Sequence, residues 1–442
     1  MIGKFRDAIY NAMGVDEVGE KDINRSGKCV KYAYQRPSFL SLKSLDEIQV
    51  AEDHLVRPIL VPRDTLPWAS GYAETINAGK SCHNEDQAAV YRSQVSGSLT
   101  YTYFGIFDGH AGPDCAVDAS LELHQILHSK LLQIAHHLDL SFVAPERRIS
   151  EDSLIIGALE SAFWDMDHLI GQDKLMYTMS GGCTALVALF ILGKLYVANA
   201  GDSRALLCRK SEPYPMSFDF TPLSERQRLQ KLCFLKPHLL GSEYTRLDYF
   251  QRPMEKDLGQ NMLYRDAHMT GWAYKKINHH DLKFPVVYGE GKRSRLLATI
   301  GVTRGFGDHD LRAQSYDKSN IFIKPFLTSQ PEVRVIDIVN SCSNVDENDI
   351  LILGTDGLWD VVSNEEVSKI VASGIKGTQA SGKEDTKYKY ITIAQELVMS
   401  ARGKLSVCGW KKYDNTSATI DDISVFVIPL KGYKDEYEKY ID

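Results

Sequence analysis

The sequence predicts an α+β protein with antiparallel sheets, and three observations carry that prediction. Runs rich in Val, Ile, Leu, Tyr and Thr recur at residues 99–107, 183–192, 195–200, 295–300, 349–353 and 423–430, the composition of strands. Apolar residues return at three- and four-residue steps over 113–137, 154–169 and 392–402, the period of an amphipathic helix. The two kinds of segment do not alternate strictly, which argues against a doubly wound parallel sheet. Gly193-Lys194, between two of the runs, is expected to form their hairpin turn.

The elements can be justified in chain order. Phe5, Ile9, Ala12 and Met13 fall on one side of a helix expected over residues 4–13, with Lys4, Arg6, Asp7 and Asn11 opposite. Such a face docks either on its own domain or on a membrane surface. Residues 15–46 are polar and aperiodic, so a mobile or loosely packed extension without chemistry is expected there. This divides the chain into an N-terminal helix and extension (1–68), a folded domain (69–430) and a charged C-terminal tail (431–442). Between 212 and 285 the pattern is broken by Pro213, Pro215, Pro222, Pro237 and Pro253 and by the charged run Glu225-Arg226-Gln227-Arg228, the signature of an insertion.

Composition narrows the function. A chain of 442 residues, 43% apolar and 25% charged, is long enough for one large core plus insertions or for two domains. A formal net charge of −7 gives no footprint for nucleic acid, whose binding needs clustered Lys and Arg. The eight cysteines form no CxxC pair and follow no leader with a cleavage site, so reduced thiols and a cytoplasmic location are expected. Apolar runs such as 184–192 and 423–430 fall short of the roughly 20 residues of a spanning helix.

The chemistry lies in a repeated construction. Phe104-Gly105-Ile106-Phe107-Asp108-Gly109-His110 is a buried-strand pattern that ends in a carboxylate, a glycine and an imidazole. Glycine lets the backbone turn and brings its carbonyl close to a cation. The pattern recurs at Leu353-Gly354-Thr355-Asp356-Gly357, with Asp360 four residues on, and at Ala198-Asn199-Ala200-Gly201-Asp202. It is reversed at Asp421-Asp422, which open the run 423–430, and a further pair, Glu85-Asp86, precedes Ala88-Ala89-Val90. Carboxylates gathered at one end of a sheet repel and rise in pKa unless cations arrive. An oxygen-only ligand set favours magnesium or manganese over zinc.

The motifs Asn84-Glu85-Asp86, Asp108-Gly109-His110-Ala111-Gly112, Gly181-Gly182-Cys183-Thr184, Gly201-Asp202-Ser203-Arg204, Thr303-Arg304-Gly305-Phe306-Gly307-Asp308, Thr355-Asp356-Gly357 and Asp421-Asp422-Ile423-Ser424 resemble, in this order, the signature blocks of the PPM (protein phosphatase 2C) family. The likeness spans residues 71–429. It implies a central antiparallel β-sandwich flanked by helices, two Mg²⁺ or Mn²⁺ ions per subunit with a weaker third, and hydrolysis of phosphoserine and phosphothreonine by a metal-bridging hydroxide. By resemblance, Asp108 bridges both metals, Gly109 lends its carbonyl, Asp356 and Asp421 hold one ion, and Glu85 supports the other. Asp86 stands behind them, Asp202 and Asp360 belong to the third ion, and His110 is the general acid. The family's phosphate-gripping arginine is replaced by Ser81, so neighbouring Lys80 is the candidate phosphate ligand. Arg304 is expected to form a structural ion pair, and Lys292, Arg293 and Arg295 read as a solvated basic run or as groups flanking the substrate.

Residues 221–230, 262–266, 269–275 and 288–292 resemble the PPM subgroup of the H, J and M phosphatases. That likeness identifies the insertion 212–285 as a flap beside the active site. It implies phosphorylated Rab GTPases as protein substrates and peripheral contact with Golgi membrane through the N-terminal helix. The alternatives are a catalytically inactive pseudophosphatase scaffold, against which the intact carboxylates argue, and a phosphoesterase acting on nucleotides. Oligomeric state is not legible in the sequence.

Overall fold

The computed structural model describes residues 29–40, 59–62, 64–81, 83–97, 99–138, 149–313, 321–340, 345–381 and 388–441. The helix expected over 4–13 lies outside them. Contacts divide the chain into one unit formed by Met1–Phe218 with Gln330–Asp442, and a second formed by Asp219–Ser329.

The first unit contains two antiparallel sheets. One has six strands in the order β1 (Ile59–Leu60), β2 (Gly71–Thr75), β13 (Ile423–Pro429), β12 (Ile350–Gly354), β9 (Arg204–Arg209) and β10 (Glu212–Pro215). The other has five, in the order β11 (Glu332–Asp337), β8 (Lys194–Ala200), β7 (Ala185–Ile191), β4 (Leu99–Phe107) and β3 (Gln87–Ser96). Alternate residues explain how they meet. Phe104, Ile106, Leu186, Ala188, Phe190 and Val197 of the five-stranded sheet share a buried cluster with Tyr72, Leu207, Leu351, Leu353, Phe426 and Ile428 of the six-stranded one. Each buried Val, Leu, Ile or Phe among them contributes about 1.5–3 kcal/mol of burial.

The opposite residues of the six-stranded sheet, Leu206, Ile350, Ile352, Val425 and Val427, pack on helices α4 (Asn364–Ser381) and α5 (Lys389–Arg402) through Val371, Ile375, Ile393 and Leu397. On the far side, α1 (Asp114–Leu138) lies over β3 and β4, and α2 (Glu151–Met176) packs on α1. The architecture is therefore helix, sheet, sheet, helix, as the family resemblance implies.

Several expectations need correction. The hairpin turn is Leu192-Gly193, both at positive φ (52° and 73°), and Lys194 already belongs to β8. Helix α2 starts at Glu151 and not at 154, because the Ser150 side chain caps it by accepting the Ser153 N–H at 3.2 Å. The expected strand over 295–300 is strand only at Arg295–Leu296. Leu297 and Ala298 take φ of 47° and 58°, and the Leu296 N–H returns to the Ile300 carbonyl, so β-like composition yields to a tight turn.

The extension is not loose over residues 29–40. Arg36 and Leu40 are buried, and Phe39 stands edge-on to Tyr72 at 5.0 Å. The stretch expected as a charged tail forms α6 (Leu430–Ile441), which buries Tyr433 against Phe190, ring centroids 5.2 Å apart.

The second unit has a core of its own, including Leu229, Cys233, Val286, Leu296, Ile323 and Phe326. Its bounds differ from the expected insertion 212–285 at both ends. Glu212–Pro215 is an edge strand of the six-stranded sheet, a place where Pro213 and Pro215 cost little because one side of an edge strand needs no ladder donor. The unit's core also draws on residues well past 285. Its own small sheet is antiparallel, with Asp248–Tyr249, Asn261–Arg265 and Ala273–Lys276 side by side.

Candidate metal centre

Three strand ends converge on one cluster. Asp108 follows β4, Asp202 lies between β8 and β9, and Asp356 opens the one-turn helix α3 (Asp356–Trp359) after β12. Carboxylate oxygens of all three lie within 4.8 Å of one another. The Asp356 N–H donates to Asp108 Oδ2 at 3.3 Å. Thr184 ties the strand ends together. Its N–H donates to the Asp108 carbonyl (2.9 Å), its hydroxyl accepts the Asp108 N–H (3.2 Å), and that hydroxyl lies 2.8 Å from the hydroxyl of Ser203.

Glycine is required at two of these turns. A Cβ on Gly109 would stand 2.4 Å from the Glu85 carbonyl oxygen, and one on Gly357 would stand 1.9 Å from that of Asp422. The strand β5 (Gly109–His110) pairs with β6 (Gly182–Cys183), which sets His110 opposite Gly182.

The Glu85-Asp86 arm reaches the cluster from the start of β3. Glu85 is half-buried, and its Oε1 accepts the Gly112 N–H at 3.1 Å. Asp86 is buried and accepts the Thr355 hydroxyl at 2.9 Å, beside Asp356. Asp421 is held by the ammonium of Lys80, at 2.8 Å and 2.5 Å from its two oxygens. Arg402, buried beneath, donates to the Asp421 carbonyl. Asp360 sits one helical turn past Asp356, exposed, in a cavity shared with Arg204 and Trp359. The tight trio thus joins Asp202 to Asp108 and Asp356, whereas Asp421 pairs with Lys80 and Asp360 stands at the rim.

The electrostatics are those of carboxylates facing one another. Burial, then the charges of Asp356, Asp86, Asp202 and Asp421, push Asp108 well above the usual range. Burial, Asp421 and Asp360 push Asp356 up to about 7, against the opposing pull of Lys80. Burial and Asp422 raise Asp86 well above its ordinary value, burial raises Asp422 to about 6, and burial raises Glu85. Such a cluster of hard oxygen donors fits Mg²⁺ or Mn²⁺, whose charge restores the ionised state.

Two further residues shape the site: Asn77, which carried no expectation, and Asp422, singled out only as half of an acidic pair with no role of its own. Asn77 accepts the N–H groups of Gly79, Lys80 and Ser81 on one side-chain oxygen, at 3.2, 2.7 and 3.0 Å, so it folds the loop that presents Lys80. The spacing Asn77-Ala78-Gly79 is an Asx-turn signal. Asp422 accepts the N–H of Asn77 at 2.8 Å and of Glu85 at 3.2 Å, pinning two loops at once. In the second unit, Arg304 forms the expected ion pair, 2.7 Å from Glu225. Arg295 donates to the carbonyls of Lys292 and Ser294.

Comparison with known proteins identifies the family. The family model described as protein phosphatase 2C matches residues 75–238 and 286–407. Protein phosphatase 1H of Xenopus tropicalis is 43% identical over 98% of this chain and 99% of its own. Protein phosphatase 1J of Mus musculus is 45% identical over 95% and 91%. A solved serine-threonine phosphatase 2C from Toxoplasma gondii is similar over 84% of the chain and 98% of its own, with 17% identity and a TM-score of 0.44. The matched blocks contain Glu85, Asp86, Asp108, Asp202, Asp356 and Asp360, and identity extends across nearly the whole chain. The chain therefore belongs to the protein phosphatase 2C (PPM) family, beside its H and J members, and is a metal-dependent serine/threonine protein phosphatase.

Proposed function

We propose that the chain dephosphorylates phosphoserine and phosphothreonine at this cluster with two Mg²⁺ or Mn²⁺ ions and a weaker third. One observation supports the reading above all: the oxygens of Asp108, Asp202 and Asp356 lie within 4.8 Å of one another, and burial among like charges raises Asp108 and Asp356. Asp108, the Gly109 carbonyl, Asp356, Asp421 and Glu85 hold the two ions, with Asp86 bracing the arm through Thr355. Asp202 and Asp360 hold the third. When bound, the ions lower the pKa of water and neutralise phosphoryl charge.

The chain's own residues do the rest. His110 donates a proton to the departing serine or threonine oxygen, which is otherwise a poor leaving group. Lys80, whose ammonium pairs with Asp421, would be freed by an ion taking its place and would meet the substrate phosphate as a point charge. Turnover of p-nitrophenyl phosphate and of a phosphopeptide with Mn²⁺ tests the reading. A wild-type chain inert with Mn²⁺, or one that prefers nucleotides to phosphoproteins, sinks it.

The substrates in this proposal are phosphorylated Rab GTPases, met by a cytoplasmic enzyme with peripheral Golgi contact through residues 4–13. Support comes from the likeness of residues 221–230, 262–266 and 269–275 to the H, J and M subgroup, and from the identity to the 1H and 1J phosphatases. A pull-down with Asp202→Ala should enrich phosphorylated GTPases over wild type. Equal recovery removes the substrate proposal, and loss of residues 1–28 without change in Golgi co-fractionation removes the membrane contact.

A further inference from the structure

We propose that Arg36, assisted by Tyr34, is a positioning residue for the Glu85-Asp86 arm, which makes residues 29–40 a strap that holds the metal centre in shape. The inference rests on the two-ion reading above. Arg36 lies outside the matched family blocks, which begin at residue 75.

The guanidinium is spent completely. Its side chain is 3% exposed, and Nε and Nη2 grip both oxygens of Glu74 at 2.7 and 2.5 Å, a bidentate pair. The remaining nitrogen, Nη1, donates to the carbonyls of Asn84 (3.1 Å) and Asp86 (2.8 Å), the residues on either side of Glu85. Tyr34 grips the same point. Its hydroxyl accepts the Asn84 N–H at 3.1 Å and donates to the Asn84 carbonyl at 3.2 Å.

Glu74 is itself fully buried. It sits in β2 opposite Ser424, two residues past Asp422 in β13, and takes the Tyr72 hydroxyl at 2.6 Å. One planar cation thus fixes the distance between the strand pair that delivers Asp421 and the arm that delivers Glu85. Both ends of the strap are anchored. Lys31 bridges α1 and α2 through Asp118 (2.8 Å) and Asp173 (2.6 Å), and Leu40 enters the core. A strap serving stability alone needs only the Glu74 pair and the anchors. The grip on two carbonyls flanking a ligand residue orients that ligand, and loss of such outer support typically costs about 10–100-fold in metal affinity.

The test is Mn²⁺ binding by the full chain, read by titration calorimetry and by the metal-induced rise in melting temperature. Arg36→Met combined with Glu74→Gln removes both charges together, so no buried carboxylate is left alone. Its Mn²⁺ affinity should fall about 10-fold or more. Arg36→Lys, which keeps the charge but not the fork, should fall by less, and Tyr34→Phe by less again. The Mn²⁺ concentration for half-maximal activity should rise in the same order, by more than kcat at saturating Mn²⁺ falls. Cooperatively folded variants that bind Mn²⁺ like wild type overturn the strap alone, and Tyr34→Phe supplies that comparison if the double variant does not fold. A wild-type chain that binds no Mn²⁺ overturns the two-ion reading and the strap with it.

Discussion

Two buried carboxylate sites in this molecule are treated in opposite ways. In the second unit, Glu225 sits between two guanidiniums, 2.7 Å from Arg304 and 2.7 Å from Arg228, and accepts the Thr303 hydroxyl at 3.1 Å. Burial alone would raise it, but the bonds to Arg304 and Arg228 bring it below the ordinary range. In the first unit, Asp356 meets mainly other carboxylates and is pushed up to about 7 by burial, Asp421 and Asp360. The contrast teaches how to tell a structural charge from a functional one. Glu225 is finished by the protein's own cations, whereas the Asp108 cluster leaves its charge balance to an ion from solution.

Substitution should separate the two sites most sharply. Asp108→Asn is expected to lower phosphatase activity by about 10²–10³-fold or more, since it removes a charge placed for the reacting phosphate's metal environment. The same change should raise the melting temperature of the metal-free protein, because one of several mutually repelling buried charges is gone. Glu225→Gln should show the reverse on stability. It leaves Arg304 and Arg228 without their shared anion and costs about 2–3 kcal/mol, read as a lower urea midpoint. If the metal-free Asp108→Asn protein melts lower than wild type, the cluster is a finished structural element and the contrast collapses.

How much of this was legible in the sequence follows from the range of each interaction. Strands that end in Asp-Gly announce themselves, because a buried run that stops at a carboxylate and a glycine is a local pattern, as at Phe107-Asp108-Gly109 and Thr355-Asp356-Gly357. The α+β class with antiparallel sheets likewise follows from strand-rich composition and period-3.6 burial, whereas the sandwich came only from the family resemblance. Asp422 was legible as half of an acidic pair but its role was not, because its partners, Asn77 and Glu85, lie 345 and 337 residues away, a meeting no local pattern records. Arg36 stood in a polar stretch without periodicity, and its value appears only when Glu74 and Asn84 fold against it. The expected strand over 295–300 failed for the opposite reason. Its composition favours strand, but the backbone at Leu297 and Ala298 turns back within the second unit's core.

Acidity sharpens the contrast further. Asp356 has a folded pKa raised to about 7 from an ordinary 3.8, so its protonated form is favoured by folding. That contribution is present at low pH and is lost as pH rises through about 7. Asp422, raised to about 6, acts with the same sign over a lower window. The melting temperature of metal-free protein should therefore fall between pH 5 and pH 8. Glu225, lowered from 4.5, gives stability that is already complete in that window and is lost only in acid. Adding Mn²⁺ should produce a stabilisation that grows with pH, since the ion binds deprotonated ligands. A metal-free melting temperature that climbs from pH 5 to pH 8 contradicts the raised values.

The smallest effect expected is at Lys80, whose ammonium brings a cation of the protein's own to Asp421. Its ammonium lies on both oxygens of Asp421, yet the lysine side chain is 53% exposed. Burial pulls its pKa down, and the bond to Asp421 more than reverses that, so it stays charged at neutral pH. An exposed pair of this kind is worth only about 0.2–1 kcal/mol. Displacing it by a divalent ion is correspondingly easy, and Lys80→Met should raise Mn²⁺ affinity by no more than about fivefold. If the freed ammonium then meets the phosphate, the same variant should raise KM for a phosphopeptide while Mn²⁺ binding improves. Opposite shifts in the two constants separate a lysine that serves substrate from one that merely fills Asp421's charge, for which KM would stay unchanged.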